Sequence, residues 1–166
     1  RVWDWNRDSC IDQQFFHRRL NHAIMARRAL VHETNAMRLV YSESDGLPGL
    51  IVDLYDDSLV MQVLSAGMER WYQTCADIVL ELTVAARVFE RSDAEVRQLE
   101  GLLPRVGALR GSAPPQRIKI GEGRLEFWVD VRKGQKTGFY LDQRVNRARV
   151  GALARDKEVL DCFCHS

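Results

Sequence analysis

The chain has 166 residues, 24 Lys and Arg against 23 Asp and Glu, 46% hydrophobic residues and a formal charge of +1, an ordinary globular composition. Its length excludes a repeat array, and its longest apolar runs, such as Leu50-Ile51-Val52 and Ile78-Val79-Leu80, fall far short of the roughly 20 residues that cross a bilayer. Four scattered cysteines (Cys10, Cys75, Cys162, Cys164) are too few for a secreted disulfide scaffold, so a reducing, cytoplasmic setting is expected.

The first residue is Arg1, with no basic start and apolar core of a signal peptide, so the beginning reads as a cut end. Residues 2–5 alternate like the last strand of an earlier unit. Ser9 with Asp12 resembles a capping box opening a helix striped by Ile11, Phe15, Leu20 and Ile24. Its other face carries Arg18, Arg19, Arg27 and Arg28, which suits either a solvated linker helix or an RNA-facing one. Residues 37–41 alternate as a strand, Asp45-Gly46-Leu47-Pro48-Gly49 makes a turn, and Leu50-Ile51-Val52-Asp53 follows. Asp56-Asp57-Ser58 turns the chain into residues 59–64, which predicts a three-stranded meander. Trp71, Cys75, Ile78, Val79 and Leu82 stand at helical spacing within residues 68–82 and predict one amphipathic helix, with Trp71 and Cys75 in the core. A strand at 87–90, a short helix at 94–99, a Gly- and Pro-rich loop at 101–115 and a hairpin at 118–131 complete this portion. The expected fold class is α+β, with strands packed around a helix in a β-β-α-β-β arrangement.

After Val131 the pattern changes to a glycine-punctuated basic turn, a helix over about 142–154 and a short apolar strand at 159–163. A helix leading into a buried strand is how an α/β nucleotide-binding domain opens, so a second domain is expected to begin here. The charge is uneven too. Residues 131–157 carry Arg132, Lys133, Lys136, Arg144, Arg147, Arg149, Arg155 and Lys157 against Asp142 and Asp156, a net +6. Residues 101–121 hold Arg105, Arg110, Arg117 and Lys119 with no acid, a distribution compatible with a polyanionic partner.

Gly134-Gln135-Lys136-Thr137-Gly138 is not a Walker A loop, because Gln135 separates Gly134 from Lys136 and Val129 stands where the first glycine belongs. Cys162 and Cys164-His165 lack a second ligand pair at zinc spacing. Asp161 is more informative, since an acid at the carboxyl end of a buried α/β strand sits where cofactors bind; an exposed strand-end carboxylate is the other reading.

The run from Val131 to Arg147, Val-Arg-Lys-Gly-Gln-Lys-Thr-Gly-Phe-Tyr-Leu-Asp-Gln-Arg-Val-Asn-Arg, resembles the signature that opens the methyltransferase domain of S-adenosylmethionine-dependent 23S rRNA (cytosine-5) methyltransferases. Ser44-Asp45-Gly46-Leu47-Pro48-Gly49-Leu50-Ile51-Val52-Asp53 is similar to that family's central domain, and Val159-Leu160-Asp161-Cys162-Phe163-Cys164-His165-Ser166 to the start of its motif I. The resemblance implies a PUA RNA-binding domain ending at residues 1–7, a linker helix and central α+β domain at 8–131, and the truncated start of a Rossmann-like methyltransferase domain at 132–166. It implies S-adenosylmethionine as cofactor, bordered by Tyr140, Asp142, Gln143, Arg144, Asp161, Phe163 and Ser166, and ribosomal RNA as partner, with no membrane. The Gly-rich loop, the ribose-binding acid and the catalytic loops of such an enzyme have no counterpart in these residues, so no catalytic residue is assigned and the isolated chain is expected to be inactive. Cys162 and Cys164 fall on the cofactor strand and are not taken as the nucleophile that cytosine C5 chemistry requires. Arg105, Arg110, Arg132, Lys133 and Lys136 are the expected RNA contacts, with Arg144 and Arg147 poorer candidates. No metal is expected. Guanine methylation and a non-catalytic RNA-binding module stay open, as does the oligomeric state, a homodimer included.

Overall fold

A computed structural model of the chain describes residues 2–162. Helix α1 (Gln13–Ala26) starts at Asp12, whose carboxylate accepts the Phe15 N–H at 2.8 Å, so the cap is Asp12 rather than Ser9. It buries Phe15, Phe16, Leu20 and Ala23. Residues 2–5 form no strand among the described residues. Trp3 instead meets Phe16 edge to face, 5.2 Å between centroids, because an indole gains more from that apolar contact than from an unpaired extended backbone.

Strands β1 (Ala36–Tyr41), β2 (Leu50–Tyr55) and β3 (Ser58–Val63) form the expected antiparallel meander. The helical segment is two pieces, α2 (Ala66–Glu69), capped by the Ser65 side chain, and α3 (Tyr72–Glu81), rather than one helix. Arg70 and Trp71 take tighter i to i+3 backbone bonds there, and Trp71 stacks on Phe16 at 4.8 Å. β4 (Arg87–Ser92) returns parallel to β3. After the one-turn α4 (Val96–Leu99) comes β5 (Arg105–Arg110), which pairs antiparallel with β4. The loop expected at 101–115 therefore contains a strand. Gly101, Pro104, Gly111 and Pro114 dominate the local signal, and the six residues between become a strand by pairing with β4 at the sheet edge. The sheet order is β1-β2-β3-β4-β5, so three strands precede the helical segment and two follow, in place of β-β-α-β-β.

Met37, Val52, Leu59, Met61 and Val88 share one sheet face, where α1 and α3 cover them in the larger core with Leu20, Cys75 and Val79. The opposite face presents Ala36, Tyr55 and Val60 to a separate hairpin, β6 (Ile118–Glu122) and β7 (Leu125–Val129), and to Val131, Phe139 and Leu141. Helix α5 (Arg144–Leu153) buries none of its residues. Among the described residues the strand expected at 159–163 does not form: Leu160 is 86% exposed and no neighbouring strand offers it hydrogen bonds, without which an isolated strand gains nothing. Phe163, Cys164, His165 and Ser166 lie outside the described residues. No helix among the described residues is long and apolar enough to cross a membrane.

Candidate functional site

The basic turn after β7 lies on the second sheet face. Asp130 starts it, its carboxylate accepting the Arg132 and Lys133 N–H groups at 2.8 and 2.9 Å. Gly134 follows where a Cβ would stand 2.3 Å from the Asp130 carbonyl oxygen, so no larger residue fits the turn. Gly138 has φ +138 and its Cα faces Val131, a conformation that favours glycine. Arg91 of β4 donates to the carbonyls of Val131 (3.1 Å) and Gly134 (3.2 Å), holding the turn from the sheet side.

Thr137, fully buried, sits at the centre of the turn. Its hydroxyl donates to Asp53 Oδ2 at 2.5 Å and lies 2.9 Å from Tyr55 Oη, which accepts the Phe139 N–H at 3.2 Å. Arg38 on β1 completes the group with two hydrogen bonds to Asp53, at 2.8 and 2.9 Å. Asp53 and Tyr55 alternate onto one face of β2, so the strand aims both into the turn. Burial pushes the Tyr55 hydroxyl pKa up, with the Asp53 charge adding to it, so Tyr55 stays a neutral donor. The Asp53 hydrogen bond raises the Arg38 pKa against the opposing effect of burial.

Beyond the turn, the structure brings Lys136 together with Tyr140 and Asp142, while Gln143 and Arg144 turn to other partners. Lys136 Nζ lies 4.3 Å over the Tyr140 ring and 3.0 Å from Asp142; that hydrogen bond holds the Asp142 pKa below its usual value. Tyr140 donates its hydroxyl to Gln135, Gln143 accepts from Asn146 at 2.7 Å, and Arg144 pairs with Glu33 at 2.5 Å. Leu141, Asp142, Arg144 and Val145 face Met37 and Arg38 across a cleft of about 260 Å³. Arg147 clamps the base of α5: it binds Glu122, donates to the Tyr140 carbonyl at 2.9 Å and covers Phe139. Asp161 is exposed beyond α5, outside any strand. The carboxylate of Asp142, the carboxamide of Gln143 and the guanidinium of Arg144 are of the chemical types that the ammonium and carboxylate of S-adenosylmethionine would take, and each is engaged within the chain, by Lys136, Asn146 and Glu33 respectively.

The expected RNA contacts differ in their surroundings. Arg105 binds Glu90 at 2.6 Å and Glu69 at 2.5 Å and stacks on Tyr72; Arg110 binds Asp77 at 2.5 Å. Both charges are balanced within the protein. Arg132 donates to the Pro114 carbonyl, and Lys136 is paired with Asp142. Lys133 is exposed and has no ion-pair partner among the described residues. No cluster of three His, Cys, Asp or Glu side chains suited to a metal occurs among the described residues.

Sequence reasoning overlooked Arg38, Asp53, Tyr55 and Arg91. The available signal was Asp53 itself, a carboxylate inside the apolar run Leu50-Ile51-Val52-Asp53-Leu54-Tyr55, which needs a buried partner.

No family model matches the chain. In fold it resembles solved methyltransferase structures: a candidate SAM-dependent methyltransferase from Streptococcus mutans gives a TM-score of 0.73 at 19% identity, over 87% of this chain and 37% of that one. A candidate methyltransferase complexed with SAH gives the same TM-score and covers 36% of its chain. By sequence the chain is 44% identical, over its whole length, to the ribosomal RNA large subunit methyltransferase I of Shewanella amazonensis and to that of Alteromonas mediterranea, spanning 42% of each. The protein of the same name from Tolumonas auensis is also 44% identical, with 43% of its length spanned. The chain thus spans about two fifths of the length of these curated relatives.

Proposed function

We propose that this chain is part of an S-adenosylmethionine-dependent methyltransferase of large-subunit ribosomal RNA, forming 5-methylcytosine in 23S rRNA and working in the cytoplasm. The 44% identity to ribosomal RNA large subunit methyltransferases I along the entire chain carries the ribosomal RNA methyltransferase reading, and the cytosine-5 product rests on the resemblance of residues 131–147 alone. In it, residues 1–7 end a PUA-like domain, 8–131 form the linker helix and central domain, and 132–166 begin the methyltransferase domain. The cofactor supplies a methyl group on a sulfonium centre. Tyr140, Asp142, Gln143, Arg144 and Asp161, with Phe163 and Ser166, would border it, Asp142 offering an acceptor and Arg144 donors once their present partners release them. Arg132 and Lys133 lie along the RNA path. Lys136, Arg105 and Arg110, each already balanced by a carboxylate, contribute less.

The test is full-length protein incubated with methyl-labelled S-adenosylmethionine and unmodified 23S rRNA, followed by nucleoside analysis. Labelled 5-methylcytidine supports the reading. Labelled methylguanosine overturns the cytosine assignment, and RNA binding without methyl transfer leaves a non-catalytic module. The isolated 166-residue chain is expected to show negligible cofactor binding by calorimetry, and micromolar binding would contradict the proposed division of the site.

A further inference from the structure

We propose that Thr137 is a positioning residue: through Asp53 and Tyr55 it locks the basic turn to the central sheet and thereby sets Tyr140, Asp142, Gln143 and Arg144 at the cofactor. The inference rests on the methyltransferase reading above.

The hydrogen bonds run in one direction. The Phe139 N–H donates to Tyr55 Oη, the Tyr55 hydroxyl can donate to Thr137 Oγ1, and the Thr137 hydroxyl donates to Asp53. The series ends on a fully buried carboxylate whose orientation Arg38 fixes with a two-point contact. Every donor proton in it has one acceptor, so the group has one arrangement, and at its fully buried members, Asp53, Tyr55 and Thr137, water cannot stand in for a lost partner. The partners span 84 residues of sequence. What they tie down is therefore a long-range placement, the seat of the turn on the sheet.

The placement is passed on without slack. Phe139, whose amide is in the series, packs on Phe127 at 5.1 Å and lies under the Arg147 guanidinium at 4.5 Å. Arg147 in turn holds the Tyr140 carbonyl. The four candidate cofactor residues begin at the very next position. A valine would fill the same space as Thr137 yet leave Asp53 one hydrogen bond short and Tyr55 without an acceptor, so the hydroxyl is the required feature rather than the volume.

The experiment uses the full-length protein and the variants Thr137→Val, Thr137→Ser and Tyr55→Phe. Hydrogen exchange is followed at the Phe139 amide without ligand, and S-adenosylmethionine affinity is measured by calorimetry per folded molecule. In Thr137→Val, which removes both hydrogen bonds of the Thr137 hydroxyl, Phe139 exchange is expected to rise about fivefold or more, and affinity to fall by about fivefold as well. The amides of Val52 and Met61 should keep their native rates, and Thr137→Ser should restore both readouts. A purely structural Thr137 would lower the melting temperature and leave affinity per folded molecule within twofold, which would overturn the proposal. Should Thr137→Val fail to fold, Tyr55→Phe is read by affinity alone, because it deletes the Phe139 acceptor directly, and an affinity within twofold of native overturns the proposal. Native protein that binds no S-adenosylmethionine removes the methyltransferase reading and this proposal together, whereas native binding with an unaffected variant removes this one alone.

Discussion

Replacing Arg105 by Ala takes the counter-charge from Glu90, a fully buried carboxylate in the middle of β4. Arg105 meets both Glu90 oxygens, at 2.6 and 2.9 Å, and the only other donor described at Glu90 is the Ser92 hydroxyl at 2.5 Å. Removing one member of a buried pair destabilises by about 3–5 kcal/mol. The Arg105 side chain is 32% exposed, so water can take part of its place, and the expected loss is about 2–3 kcal/mol. Arg105→Lys retains the charge without the two-pronged geometry and should lose about 1 kcal/mol. Arg110→Ala is the control: its partner Asp77 is 60% exposed, and the loss should stay within about 1 kcal/mol. Equilibrium urea unfolding measures all three, with an unchanged denaturant slope as the condition for comparison. If Arg105→Ala and Arg110→Ala lose equal stability, the Glu90 argument fails. The outcome also bears on RNA binding, because weaker binding by an unstable Arg105 variant says nothing about a phosphate contact.

Three other outcomes are expected. The Lys136 hydrogen bond holds the Asp142 pKa below the ordinary 3.8, so the stabilisation from this pair is present above pH 3.8 and disappears as pH falls through the lowered folded value. In carboxyl NMR titration Lys136→Met should return Asp142 to its ordinary range, and an unmoved midpoint would refute the pairing. Burial pushes the Cys75 thiol up to about 12, so a thiol reagent at pH 8 should modify exposed Cys10 and Cys162 and reach Cys75 only on unfolding; fast native labelling of Cys75 would contradict the burial. Lys133 and Arg117 are exposed without ion-pair partners among the described residues, and their joint removal from the full-length protein should flatten the log-affinity against log-salt slope for single-stranded RNA by about 0.7 per lost contact. An unaltered slope would take both off the RNA path.

Local chemistry made several elements readable before any fold was known. The meander of β1, β2 and β3 shows in period-two alternation separated by Asp-Gly and Asp-Asp turns, and the hairpin of β6 and β7 in Gly121-Glu122-Gly123, because alternation and turn chemistry act between near neighbours. The run of residues from Gly134 to Arg144 was legible as a motif, and its glycines prove to sit where backbones touch. β5 was not legible: its glycine and flanking prolines argue for a loop, and pairing with β4 overrides them. Nor were the partners of Thr137. Asp53 and Tyr55 stand more than 80 residues away, and no local spacing encodes which buried hydroxyl a carboxylate will meet. The charges of Arg105 and Arg110 were visible as cations, but whether a cation faces RNA or an internal carboxylate is decided by which strands lie side by side. Composition and periodicity report what each segment prefers, whereas the pairing of distant polar groups exists only after the sheet has assembled and excluded water from them.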